Sequence, residues 1–255
     1  MAEQEYQAYL EQAEEARSLR EQPLAQYDVI ADEYYDSLLH PTCANFRRAS
    51  SGFVLRCLGE VSVKSVIMEI GCGRSLVAEI LAAKDAALAN TILVDRSLKM
   101  LRHSQQFSHL GARLIVGDAL KLPVRGQQVD ALFAVLGDPY NVSELWQELR
   151  RIVRTGGRCF FTTPSYEWAH WFRNSINDEL SGAAQFLLRD GGRAYVPSHI
   201  FPIDEQLALM GRYGWRCEAV EKLGVDGGDI QLSPKIVRRD VALSHVVTGF
   251  VLQAV

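Results

Sequence analysis

Long apolar runs are missing from this 255-residue sequence: none reaches the roughly 18 residues that a membrane-spanning helix needs, so no span is predicted. A basic excess is missing too. The formal net charge is −4, whereas a nucleic-acid partner normally requires a basic face, so nucleic acid is not expected. The densest basic stretch, LRRIVRTGGR, places Arg150, Arg151 and Arg154 in the last turns of a predicted helix before Gly156, where cations complement the helix dipole. Cysteines number five, at Cys43, Cys57, Cys72, Cys159 and Cys217, with no CxxC pair and no histidine at finger spacing. No metal site is expected, and an odd, unframed set fits a reducing compartment. The opening residues MAEQEYQAYLEQAEEARSLR are too acidic for a secretory or transit signal, so a cytoplasmic protein is expected. Repeats and low-complexity segments are also absent.

What is present is ordinary globular composition, 48% hydrophobic and 23% charged, arranged in two rhythms. Roughly the first sixty residues read as three helices. Tyr6, Tyr9, Leu10, Ala13 and Leu19 share one stripe, QYDVIADEYYDSLL follows Pro23, and ANFRRASSGFVLRCLGE follows Pro41. From Ser65 short apolar runs take over: SVIMEI, TILVD, RLIVGD, VDALFAVLGD and RCFFTT. The helical stretches SLVAEILAAKDAAL, SLKMLRHSQQFSHLG and NVSELWQELRRIVRTGG separate most of them. Strands apolar throughout and alternating with helices predict right-handed βαβ units, hence an α/β fold with a doubly wound, mostly parallel sheet. WRCEAVEKL and SHVVTGFVLQAV read as an antiparallel hairpin at one sheet edge.

The chemistry concentrates where strands pass into helices. In MEIGCGRSL, Gly71 and Gly73 allow close backbone approach, and free N–H groups at the helix start face an anionic or polar ligand. A dinucleotide loop would carry a third glycine at position 76, which is Leu76. Asp95 ends TILVD and Asp118 ends RLIVGD; each alone could be a helix cap, but Glu69, Asp95 and Asp118 at three consecutive strand ends favour a nucleoside pocket.

With those residues in view, the stretch from about Ser65 to Thr163 resembles the class I S-adenosylmethionine-dependent methyltransferases. EIGCGRS is similar to the first motif, LVD to the second, GDA to the third and VDALFAVLGD to the fourth. LRRIVRTGGRCFF is similar to the helix, Gly-Gly turn and fifth strand that follow. The resemblance implies a Rossmann-like methyltransferase fold with seven strands and S-adenosyl-L-methionine as cofactor. It implies Glu69, Gly71, Cys72 and Gly73 around the methionine part, Asp95 and Arg96 at the ribose, Asp118 and Ala119 at adenine, and Leu136 on the same pocket. YDVIADEYYD resembles the helix that covers the cofactor in small-molecule members, with Tyr34 as lid residue and Tyr35 where the pattern has aspartate. Ser75 replaces the commoner glycine; Arg74 could approach the cofactor carboxylate or point to solvent.

The expected organisation is an N-terminal helical lid over residues 1–60 and a cofactor-binding domain over 61–255, with a cap insertion at about 165–198 completing a helical cap. Asp138, Tyr140 and His40 are expected near the acceptor. DPY resembles, minus one proline, the motif of amino-methylating nucleic-acid enzymes, while Asn141 and Glu144 read as a capping pair for the next helix. Tyr166, Trp168, His170, Trp171 and Phe172 could form an aromatic wall or simply core. Methyl transfer needs positioning more than acid–base machinery. The expected function is methylation of a small-molecule acceptor. The alternatives are an RNA or protein acceptor, and a non-catalytic adenosylmethionine-binding scaffold.

Overall fold

The computed structural model describes residues 25–174, 182–225, 231–237 and 244–255, with side chains described from Tyr27 and, before the gap at 175, as far as His170. The helix expected before Arg20 lies outside them. Two helices lead in: α1 (Ala25–Ile30), followed by turns to Leu39, and α2 (Pro41–Gly59), with proline at its start. The alternating core then runs β1 (Ile67–Ile70), α3 (Leu76–Ala82), β2 (Thr91–Asp95), α4 (Leu98–Arg102), β3 (Arg113–Val116), β4 (Val129–Ala134), α5 (Ser143–Ile152) and β5 (Val153–Pro164). After it come α6 (Tyr166–Asn174), β6 (Ala183–Leu187), β7 (Arg193–Pro197), α7 (Ile203–Arg212), β8 (Trp215–Leu223) and β9 (Val247–Ala254).

Seven strands form one sheet in the order β3-β2-β1-β4-β5-β9-β8. The first five are mutually parallel, and β9 runs antiparallel between β5 and β8. Period-two alternation supplies a core on each face. Phe160 stacks on Phe133 at 4.7 Å among residues packed with Phe53 and Val54 of α2, while the next residue, Phe161, meets Trp146 of α5 edge-on at 5.1 Å. α5 buries Leu145, Trp146, Leu149 and Ile152 along one stripe, so its charged residues face out. The doubly wound sheet and its antiparallel edge are therefore as the sequence led one to expect.

Three details differ. Arg154 lies in β5 rather than in a helix, because the chain turns extended at Val153, which pairs with Val129 of β4; the Arg154 guanidinium then meets Asp130. SLKMLRHSQQFSHLG is not one helix. α4 stops at Arg102 and a 3₁₀ turn resumes at Gln105, with the intervening Ser104 hydroxyl donating to Gly73 O (2.6 Å) and accepting from Ser75 N (2.8 Å). The second half of the cap is not helical either: β6 and β7 form a separate antiparallel hairpin turning at Asp190-Gly191.

Candidate functional site

The carboxyl ends of β1, β2 and β3 open onto a cavity of about 810 Å³. Its floor is the glycine loop. Gly71 and Gly73 have φ of 57° and 43°, the left-handed region that glycine enters without strain. A β-carbon at Gly71 would lie 2.6 Å from Tyr140 Cε1, and one at Gly73 would strike the Tyr35 hydroxyl. Two phenols therefore rest on the two glycines. Tyr140 Oη donates to Ile70 O at 3.0 Å, and Tyr35 Oη accepts from Arg74 N at 2.6 Å.

The three strand-end carboxylates have unequal duties. Glu69 is 2% exposed, and its oxygens accept from the Ser75 hydroxyl, Leu76 N and Val77 N (both 3.3 Å). It thereby caps α3 together with Ser75, whose oxygen accepts from Ala78 N at 2.9 Å. Burial pushes the Glu69 carboxyl up to about 7, against those hydrogen bonds and the Arg47 charge. Asp95 accepts one N–H on each oxygen, Gly73 N at 2.8 Å and Ser97 N at 2.9 Å. A carboxylate offers about four acceptor positions, so two remain for neighbouring hydroxyls. Burial raises its pKa, opposed first by the Gly73 and Ser97 N–H groups. Asp118 is more open, pairs with Arg96 at 3.2 Å and accepts from Leu120 N at 2.9 Å.

Of the residues expected at the cofactor, Glu69, Gly71, Cys72, Asp95, Arg96, Asp118, Ala119, Leu136 and Tyr34 all line this cavity; Gly73 lies beneath Tyr35. Leu136 has φ of 54°, sparsely populated for a leucine, and its N–H is held by Thr162 Oγ1 at 2.8 Å. Of the three residues expected at the acceptor, only Tyr140 lines the cavity. His40 sits outside the lining because its side chain is buried in the cap. Its ring lies 3.3 Å from Glu33 Oε1 and edge-on to Phe186. Asp138 is also outside, with its carboxylate on the Ser198 hydroxyl and its carbonyl accepting from His199 N at 2.8 Å, so it fastens the end of the hairpin. Asn141 is no helix cap: Val142 holds that position without a side-chain bond. The Asn141 amide instead joins Trp146 Nε1 (2.9 Å), Gln206 (2.6 Å) and His199 O (3.0 Å).

The aromatic wall does not form at the cavity from the described side chains. Trp168 packs edge-on to Phe46 in the core, and Tyr166 stacks on His170 at the surface; Trp171 and Phe172 lie outside the described side chains. What closes the cavity is a cap whose halves share a small core. Ile30 packs with Phe186, Ala194 and Val196 of the hairpin, and Tyr27, Tyr34 and Cys43 gather against them. The cap is tied to α4 by Asp28 on the Ser97 hydroxyl and by His103 Nε2, 2.8 Å from Ala31 O. Among the described residues no group of three or more His, Cys, Asp or Glu side chains could hold a metal, and no helix is long and apolar enough to cross a membrane.

Comparison with known proteins gives residues 68–161 as a match to the family model described as "Methyltransferase domain". A curated relative, the biotin biosynthesis bifunctional protein BioHC of Cellvibrio japonicus, is 30% identical over 131 residues. The match takes in 51% of this chain and 24% of that protein, so the chain spans about a quarter of the relative's length. Similar solved folds include a chain from the complex between the Haloferax volcanii Trm112 methyltransferase activator and a methyltransferase (TM-score 0.67, 14% identity, 91% of this chain and 97% of that one). They also include the DhpI-SAM-HEP complex (TM-score 0.62, 15% identity, 92% and 97%). A third is the geranyl diphosphate C-methyltransferase from Streptomyces coelicolor A3(2) with Mg²⁺, geranyl diphosphate and S-adenosyl-L-homocysteine (TM-score 0.56, 16% identity, 81% and 79%). At these identities the likeness is one of fold.

Proposed function

We propose that this protein, whose residues 68–161 match the methyltransferase-domain family model, transfers a methyl group from S-adenosyl-L-methionine to a small-molecule acceptor. The observation that carries the choice of acceptor is the cap. Tyr27, Tyr34 and Tyr35 from one half and Pro197 and His199 from the other border a cavity of about 810 Å³. That volume is within the range of small-ligand sites and suits a cofactor with a compact acceptor better than a polymer. The cofactor site spans Asp118 to the glycine loop, with the lid made by residues 25–60 and the hairpin near 183–197.

The residues present fit such a cofactor. Asp95 would accept from the ribose hydroxyls with the positions its backbone donors leave free, and Asp118 with Ala119 would border the adenine. Glu69 acts through the loop, holding Ser75 and the start of α3 so that Gly71 to Arg74 keep their path. Bound S-adenosylmethionine supplies an electrophilic methyl on a good leaving group, so the protein's work is alignment. Tyr140, Leu136 and Tyr35 would form the walls where donor and acceptor meet, and the capped cavity excludes water. Asp138 is a positioning residue for the hairpin. All five cysteines are free.

Labelled cofactor incubated with separate small-metabolite, RNA and protein fractions tests the reading. Label in the small-metabolite fraction is expected. A second reading, an RNA or protein acceptor, has the DPY sequence at Asp138, Pro139 and Tyr140 as its support, and label confined to those fractions would establish it instead. Cofactor binding with no label in any fraction would leave a binding scaffold.

A further inference from the structure

Four arginines line the cavity, and among the described residues only one of them has no carboxylate to answer it. Arg96 pairs with Asp118. Arg47 and Arg74 share a single acid, Glu79, and both guanidiniums also lie over the Tyr35 ring, at 5.8 and 4.9 Å. Arg48, next to Arg47 on α2, is exposed at the cavity and makes no ion pair among the described residues. The remaining acids of the lining are committed elsewhere, Glu69 to the α3 cap and Asp95 to Gly73 N and Ser97 N. A protein of net charge −4 thus carries a local positive excess at one end of its cavity.

The cofactor does not cancel it. Adenosylmethionine carries an ammonium and a sulfonium beside its one carboxylate, so it brings no net negative charge to Arg47, Arg48 and Arg74. Glu79 pairs with Arg47 and Arg74, the buried Glu69 also acts on Arg47, and Arg74, inside the glycine loop, is the nearest of the three in sequence to where the cofactor carboxylate is expected. Arg48 is left without an acid among the described residues. It belongs to the α2 residues Cys43, Ala44, Arg47, Arg48 and Ser51 that border the cavity, while the helix itself packs against α3, β5 and β9. The segment at Gln231, also on the lining, is fastened to the same helix by Asn45, whose side chain bonds Gln231 O (3.1 Å) and Ser233 N (2.8 Å).

Resting on the function proposed above, we propose that the acceptor carries a carboxylate or phosphate group and that Arg48 anchors it. The planar guanidinium meets either group with paired, charge-assisted hydrogen bonds. An anchor on α2 fixes the acceptor's charged end away from the strand-end acids, leaving the atom to be methylated free to point at the glycine loop.

The test uses the full chain loaded with S-adenosylhomocysteine and titrated calorimetrically with inorganic phosphate and, separately, acetate. Wild type is compared with Arg48→Gln and with Arg56→Gln, which removes an arginine paired to Glu221 outside the cavity. Arg48→Gln is expected to weaken the better-bound anion at least about tenfold, with Arg56→Gln and adenosylhomocysteine affinity unchanged. Equal anion affinity in wild type and Arg48→Gln overturns the assignment. So does a matching loss of adenosylhomocysteine affinity, which would put Arg48 on the cofactor. Failure of the wild type to bind adenosylhomocysteine sinks the proposed function instead. In the labelling experiment, methylated product retained on an anion exchanger, and reduced in Arg48→Gln, is expected; label only in the unretained fraction overturns the proposal.

Discussion

Replacing Ser75 by glycine tests the link between the loop and the buried acid behind it. Ser75 is fully buried with φ of −48°, so glycine is not needed there for backbone reasons. Its hydroxyl does two things: it accepts from Ala78 N as the cap of α3, and it donates to Glu69. Glycine is nearly as good a cap, at a loss of only a few tenths of a kcal/mol. The missing donor on a buried carboxylate is the larger effect, about 1.5–3 kcal/mol. Because the hydroxyl holds the Glu69 pKa down, its removal favours the protonated acid further, and the loss should be greater at pH 8 than at pH 6.

The sign follows from linkage. Burial raises Glu69 from 4.5 to about 7, so the folded state binds this proton more tightly than the unfolded chain does. The contribution of the group is complete below about pH 4.5 and disappears as pH rises through 7, for a total near 3 kcal/mol. Urea unfolding at pH 5, 6 and 8 should show wild-type stability falling across that window and a flatter profile in Glu69→Gln. Ser75→Gly should lose about 2–3 kcal/mol at pH 8. A loss below about 0.5 kcal/mol, or one equal at pH 6 and 8, would refute the coupling.

Asp95→Ala should weaken adenosylmethionine at least about thirtyfold in calorimetry, from roughly 2 kcal/mol of lost charged hydrogen bonding; unchanged affinity would mean that the pocket lies elsewhere. Gly71→Ala should destabilise by about 1–3 kcal/mol, since it adds a positive-φ penalty to a clash with Tyr140. That loss should shrink when Tyr140→Leu is added, and strictly additive losses in thermal unfolding would argue against the contact. Asn141→Ala should cost about 2–4 kcal/mol by stranding Trp146 Nε1 and Gln206 in the interior, measured by denaturant unfolding at constant m.

The sheet was legible because its evidence is local. β1 and β4 are buried almost throughout, and their short apolar runs between amphipathic stretches leave few ways to arrange them. Helix lengths were less legible because tertiary bonds decided them: Ser104 ends the regular run after α4 by turning to the glycine loop, a partner 31 positions away. The cap hairpin did leave a local signal, Asp190-Gly191 between alternating apolar residues, and that signal is stronger than the glycine content that suggested only an irregular stretch.

The site divides the same way. Its cofactor rim follows from strand ends, which sequence fixes, whereas the acceptor side depends on where the cap docks, which sequence does not show. His40 and Asp138 have the chemistry of an acceptor site, yet each is drawn to the cap, His40 to Glu33 and Phe186, Asp138 to Ser198. Tyr35 was passed over because it departs from the aspartate of the motif it resembles, but the departure is informative. A phenol at position 35 reaches Arg74 N over Gly73 and offers a ring face to Arg47 and Arg74, as a carboxylate could not. With the two cations held by a neutral ring and one shared acid rather than by a second carboxylate, the excess positive charge beside Arg48 is preserved. The residue that breaks the motif thus supports the inference that this cavity receives an anion.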